Sequence, residues 1–177
     1  GAYGANARRA LLASGSRLVV QANPELWTPR EYRGLDVTPV LPTPWEQSRF
    51  DGAMVVPVPV ARDRLPAREV TEVRTILHPS APAMLDRNGT QVVRDALSLC
   101  RTGFTMAISG PEAPSEPTSV GRVKVVPVAS HRDYWRVYDG IDAVVIPRRY
   151  GGLCLPAQEA CSLGLPVIMS ALAPQAE

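Results

Sequence analysis

The run at residues 147–166, PRRYGGLCLPAQEACSLGLP, constrains this chain most, because it sets a glycine-bearing turn directly before a short helix pattern that carries one isolated acid. A valine-rich strand at 143–146 feeds the turn, and a second strand at 166–169 leaves the helix. Strand, turn, helix and strand in that order make a βαβ-like unit, whose ligand-facing loop belongs at the strand's C-terminal end. The amides of Gly151, Gly152 and the first helical turn have no earlier carbonyl within the helix to bond, so they are expected to be available to a phosphate. Glu159 lies one turn inside, where a carboxylate can accept hydrogen bonds from sugar hydroxyls.

A chain of 177 residues can hide one substantial α/β core and is short for two full domains. Its formal charge of +2 is small and its charged residues are mixed in sign, which argues against a large polyanionic partner. A charge that small still leaves a polymer partner open, nucleic acid included, where the contacting surface lies elsewhere. No apolar run approaches the ~20 residues of a membrane span. The first residues carry no basic, apolar, small-residue leader pattern, and the expectation is a soluble, cytoplasmic protein. Cys100, Cys154 and Cys161 sit within apolar or helical patterns and are expected to be reduced core thiols. The two histidines, His78 and His131, stand in no CxxC or HExxH context, so no zinc site is expected.

Residues 6–13 fit a helix, and 17–21 read as a strand. From 23 to 66 prolines recur at positions 24, 29, 39, 42, 44, 57, 59 and 66. Such spacing blocks long helices and disfavours central strands, so this stretch reads as an ordered linker or packed coil anchored by Trp27, Trp45 and Phe50. The regular pattern then begins: a strand at 75–78, a long loop at 79–89, and a helix at 91–100 with Val92, Val93, Ala96, Leu97 and Cys100 at helical spacing. A strand at 104–109 follows, then a polar, proline-rich surface loop at 111–121 and a strand at 122–128. Ser130 and Asp133 resemble a capping box for a helix running to about 140, with Tyr134, Trp135, Val137 and Tyr138 on its packing surface. After the strand at 143–146 comes a helix at 156–163, with Gly164 as its left-handed cap. The fold class is α/β, a Rossmann-like, mostly parallel sheet flanked by helices.

Residues 141–170, IDAVVIPRRYGGLCLPAQEACSLGLPVIMS, resemble the glycosyltransferases of the GT-B fold, in particular the retaining family whose nucleotide-sugar domain carries a Glu, seven residues, Glu signature. Tyr150, Gly152, Leu155, Pro156, Glu159, Ala160, Gly164, Pro166, Val167 and Ile168 fall in register with that family's pattern. Weaker matches occur upstream in the right order: residues 75–97 resemble the first strand, basic loop and helix of the donor domain, 104–110 the next strand, and 134–147 the helix and strand before the signature. Residues 16–29 are loosely similar to the last strand of the family's acceptor domain. The resemblance therefore implies two regions: 1–66, a remnant of the acceptor domain with a proline-rich interdomain linker, and 67–177, a GT-B donor-type nucleotide-sugar-binding domain that is C-terminally incomplete. The chain departs from the family at two places: Gly151 stands where the first signature glutamate contacts the transferred sugar, and Asn88 stands where a lysine binds pyrophosphate.

The resemblance implies a glycosyltransferase, or a fragment of one, that moves a sugar from a nucleotide-diphosphate-sugar donor to an acceptor hydroxyl with retention, using no bound cofactor and no metal. The acceptor domain that the resemblance finds missing would be a partner in the same or another chain. The implied catalytic residues are Glu159, on the ribose hydroxyls, and Arg87, the nearest cation to the diphosphate. Gly151, Gly152 and Leu153 would form the phosphate turn, Ser80 would present backbone near the phosphates, and Arg149 would stand at the pocket mouth beside Arg148. His131 would meet the nucleotide edge. Each has a plainer alternative: Glu159 as a carboxylate stabilising a helix N-terminus by about 0.3–1 kcal/mol, Arg148 and Arg149 as a solvated basic pair, His78 as a packed structural histidine, and Trp135 and Tyr138 as core. Two other functions stay open: a non-catalytic nucleotide-sugar-binding or interaction module, which Gly151 favours, and a GT-B sugar-nucleotide epimerase or hydrolase.

Overall fold

The computed structural model of the chain describes residues 13–15, 18–24, 37–64, 69–83, 85–129 and 132–173. The helix expected at 6–13 and the anchor Trp27 lie outside them, apart from the helix's last residue. The chain divides into two compact units, Gly1–Pro59 and Val60–Glu177.

The first unit holds a three-stranded parallel sheet, β1 (Leu18–Gln21), β2 (Val37–Leu41) and β3 (Met54–Val55), in the order β1-β2-β3. Ala22, Leu41 and Phe50 form its buried core, and Trp45 is half-buried. The proline-rich stretch is thus not all coil: β2 is a central strand even though it contains Pro39. In a parallel ladder successive residues turn their polar groups to alternate neighbours. Val40 uses its carbonyl toward β1, accepting from Ala22 N–H at 2.9 Å, and Leu41 uses its carbonyl toward β3, accepting from Val56 N–H at 2.9 Å. Pro39 therefore faces the β3 side, upstream of the point where β3 starts to pair, and its missing N–H costs no ladder bond.

The second unit is an α/β domain of broadly Rossmann-like architecture. Its six-stranded sheet has the order β6-β7-β5-β4-β8-β9, from β4 (Thr75–Pro79), β5 (Thr105–Ser109), β6 (Thr118–Val120), β7 (Val123–Pro127), β8 (Ala143–Ile146) and β9 (Val167–Met169). All neighbours run parallel except β6 and β7. The antiparallel β6 lies inside what the sequence presents as a surface loop. Gly121, at φ +56°, turns the chain so that Val120 pairs Val123, and the polar Thr118 and Ser119 suit an exposed edge.

Two helices cover opposite faces. On α1 (Thr90–Leu97) the buried Val93 and Leu97 pack with Met106, Ile108, Val123 and Val125. Val92, expected inside, is half exposed on the other side of that helix. On α2 (Leu155–Ser162) Ala157 and Ala160, with Leu163 just beyond its end, pack with Leu77, Ala107, Val144 and Ile146. Strand alternation sends Met106 and Ile108 to one face and Ala107 to the other. Gly164, at φ +76°, ends α2 in a Schellman motif: its N–H donates to Cys161 O at 3.1 Å, and Leu165 N–H donates to Ala160 O at 2.9 Å. Of the cysteines, Cys154 is buried, Cys100 half-buried and Cys161 exposed. The core expectation fails at Cys161, which stands one step round α2 from the packed Ala160.

The helix expected from 130 to 140 is instead a five-residue 3-10 turn, Tyr134–Tyr138. Its aromatic and β-branched residues are weak helix formers, Asp133 makes no side-chain cap, and Gly140 at φ +72° stops the chain. Ser130 lies outside the described residues.

Candidate functional site

From β4 the chain builds outward to β5 and β7, then returns to the other side of β4 with β8 and β9. That reversal makes the carboxyl ends of β4 and β8 a topological switch point, where the loops leaving the two strands part and a ligand crevice forms. The loops concerned are 80–89 and 147–154.

These loops are tied to each other. Arg149 N–H donates to Arg87 O at 3.0 Å, and the Tyr150 hydroxyl donates to Leu85 O at 3.0 Å. Arg149 also lies 3.6 Å from the Asp86 carboxylate. Asn88 closes the first loop on itself, its side-chain amide donating to Pro79 O at 2.7 Å. Gly89, at φ +72°, lies so near the Pro147 carbonyl that any side chain there would collide with it.

Ser80 is spent on the neighbouring strand: its hydroxyl donates to Ser109 O at 2.6 Å and accepts from Glu112 N–H at 3.0 Å. The first turn of α2 also offers less to an anion than its sequence suggests. Ala157 and Gln158 both donate to Cys154 O at 3.1 Å, and Pro156 has no N–H. Leu153 is half-buried and Gly152 buried, and His131 lies outside the described residues.

Charge gathers instead at Gly151. This residue is buried with φ +126°, and a side chain on it would run into the Arg148 guanidinium and stand 2.7 and 2.8 Å from Arg87 Nε and Nη2. Arg148 is only 3% exposed, and its Nη1 donates to Gly152 O at 3.0 Å. The structure therefore brings together Arg87, Arg148, Gly151 and Gly152, while Arg149 turns outward to Asp86. The reading of Arg148 as half of a solvated pair is overturned. Its burial continues the inward alternation of Val144 and Ile146, a signal present in the sequence.

Glu159, from the second turn of α2, is 5% exposed and lies among tyrosines. Its Oε2 accepts from the Tyr138 hydroxyl at 2.5 Å and from the Tyr134 hydroxyl at 2.9 Å. Burial, helped by the neighbouring carboxylate, pushes the Tyr134 phenol up to about 12 and raises that of Tyr138 as well. The two tyrosines, four apart in sequence, were legible as a packing face but not as partners of Glu159. Arg64, Arg132, Asp133 and Trp135 line a separate open depression of about 540 Å³, which none of Glu159, Tyr134 and Tyr138 lines.

No protein-family model matches the chain, and no curated protein matches it. Among the described residues no helix is long and apolar enough to cross a membrane, and no group of three or more His, Cys, Asp or Glu residues could hold a metal ion.

Two further polar groups are structural. His78 is fully buried, as the packed reading expects; its Nδ1–H donates to Val145 O at 2.9 Å, which leaves Nε2 to accept from the Thr90 hydroxyl at 2.9 Å. Asp142, which sequence reasoning passed over, accepts on Oδ2 from Arg74 and Thr75 N–H at 2.9 and 2.8 Å and so fixes the start of β4. A single acid inside the apolar run IDAVVI was the available signal.

Proposed function

We propose that the second unit is the donor domain of a GT-B glycosyltransferase, binding a nucleotide-diphosphate-sugar for transfer to an acceptor hydroxyl with retention. One observation carries this reading: residues 141–170, which hold the family-like pattern, fold as strand, glycine turn, helix and strand at the switch point, tied to the Arg87 loop. In this mechanism the bond between the anomeric carbon and the diphosphate oxygen breaks, the acceptor oxygen takes the carbon, and the acceptor's proton leaves with the departing diphosphate. Charge grows on the leaving oxygen, and in this reading Arg87 stabilises it. Glu159 meets the ribose hydroxyls in this reading, with the Tyr134 hydroxyl shifting or sharing the carboxylate. The acceptor is bound by a domain outside the second unit.

A second reading, a nucleotide-sugar-binding module that performs no transfer, is favoured by the guanidinium groups that occupy the side-chain space of Gly151. Calorimetry against uridine, guanosine, adenosine and thymidine diphosphates and their common sugar conjugates tests the shared step, with Glu159→Gln as the paired variant because glutamine still accepts from the tyrosines. Binding selective for one base and weakened by the variant supports donor recognition. A folded chain that binds none of them overturns it. Among binders, sugar transfer by the chain completed with an acceptor domain separates the enzyme from the module.

A further inference from the structure

We propose that Arg148 and Arg87 form an oxyanion-binding site over Gly151, with Arg148 as its principal ligand and a diphosphate group as its occupant. That the occupant is a diphosphate rests on the donor-domain reading; the site itself rests on Arg148. A guanidinium is seldom buried without a counter-charge, because removing it from water is costly unless an anion and hydrogen bonds compensate. Arg148 is 3% exposed, its Nε is buried and makes no hydrogen bond, and among the described residues no carboxylate pairs with it. Its hydrogen bond among the described residues, from Nη1 to Gly152 O, satisfies a donor without neutralising the charge. The guanidinium of Arg87 reaches the same point over Gly151.

The surroundings sharpen this imbalance. α2 begins three residues beyond Gly152, whose carbonyl Arg148 holds, and a helix start carries the positive end of a dipole rather than a counter-charge. The first-turn amides of Ala157 and Gln158 are committed to Cys154, so the Arg148 guanidinium, whose Nε makes no hydrogen bond, is the donor group left to recognise an anion. Planar guanidinium forks suit the oxygens of phosphate groups, taken two at a time. Gly151 is then fixed by the site: its φ and the nearness of both guanidinium groups exclude any side chain. Arg87 is half-buried and Arg149 and Tyr150 are exposed, which sets the pair at the solvent edge of the switch point.

The test titrates the full chain with inorganic diphosphate, following heat by calorimetry and the arginine Nε–H resonances by NMR. The Arg148 resonance is assigned by its loss in Arg148→Gln, with Arg149→Gln as control. The expected result is saturable binding that shifts the Arg148 Nε–H signal, weakens about tenfold or more in Arg148→Gln, and changes less than about twofold in Arg149→Gln. An unmoved Arg148 resonance at saturating diphosphate, or unchanged affinity in a folded Arg148→Gln variant, overturns the proposal. Should that variant not fold, Arg148→Lys replaces it: the point charge keeps the fold but loses the fork, and affinity must still drop. Nucleoside diphosphate binding that ignores Arg148 sinks this site and leaves the donor reading standing. Arg148-dependent binding of inorganic diphosphate with no added affinity from any nucleoside does the reverse.

Discussion

The Tyr138 hydroxyl donates to Glu159 Oε2 across 2.5 Å, so the helix acid to which the family resemblance assigns a ribose is already held from within the fold. Tyr134 donates to the same oxygen at 2.9 Å. The carboxylate thus joins the 3-10 turn to α2, and any ligand role must coexist with that duty.

Removing the acceptor should cost more than altering it. Glu159→Ala leaves two phenol groups without their partner, one of them fully enclosed, and should destabilise the chain by about 1–3 kcal/mol. Glu159→Gln keeps an acceptor and should lose less than half of that. Urea unfolding of both variants checks the order. Equal losses would mean that the tyrosine bonds contribute nothing.

The same cluster predicts an alkaline weakness. The folded pKa of Tyr134 is pushed up to about 12, mainly by burial and then by the Glu159 charge, whereas an unfolded tyrosine titrates near 10. The folded state therefore holds a proton that the unfolded chain releases. Stability from this source is complete below pH ~10 and is lost as pH rises from there toward 12. Urea midpoints measured between pH 9 and 11 should fall less steeply in Tyr134→Phe than in the parent chain; parallel curves would refute the linkage.

Much of the second unit could be read from sequence because its strands and helices are locally consistent: a valine-rich β8, a proline-started α2 and Gly164 as its cap. The edge strand β6 could not, since its polar residues are fixed by pairing with β7 rather than by pattern. Pro39 misled for a related reason, its effect depending on which neighbour its missing N–H faces. At the candidate site, the sequence singles out Gly151, Gly152 and Arg87, which lie together in the fold, but it does not show the burial of Arg148 when an Arg-Arg pair is taken as surface charge. The hold on Glu159 was hidden because Tyr138 and Glu159 are distant in sequence, and a hydrogen bond between them leaves no local signal.

Gly89 and Gly151 face close backbone or cationic neighbours, and they should tolerate substitution far worse than a glycine with the same kind of φ in open space. Gly89→Ala meets the Pro147 carbonyl, whereas Gly140→Ala meets nothing within 4 Å although its φ is also +72°. The backbone cost of about 1–2 kcal/mol is common to both. Collision with Pro147 should add about 1–3 kcal/mol to Gly89→Ala alone. Gly151→Glu, which would place an acid where the resembling family carries one, should destabilise as well, because Arg148 fills the space that its side chain needs. Thermal unfolding of the three variants measures the contrast, and a Gly89→Ala loss equal to that of Gly140→Ala would show that the loop simply moves aside.

His78 should give the fold a sensitivity on the acid side. Burial holds its pKa below the usual 6.5, opposed by the Val145 carbonyl and by Asp86 and reinforced by Arg94. The Thr90 hydroxyl at Nε2 can satisfy the neutral ring, but protonation would set two donors against a site built for one. Because the folded value is the lower one, the unfolded chain takes up the proton first. The contribution is therefore complete above pH ~6.5 and is lost as pH falls below it toward the folded value. Carboxylates also titrate over this range, so the informative quantity is a difference of differences: the change in unfolding free energy between pH 7.5 and 5, in the parent chain against His78→Gln. The glutamine variant should be less stable at pH 7.5 and should lose less on acidification. An equal acid loss in both chains would place the pH dependence elsewhere and leave His78 as a neutral tie among β4, β8 and α1 whose proton balance does not change on unfolding.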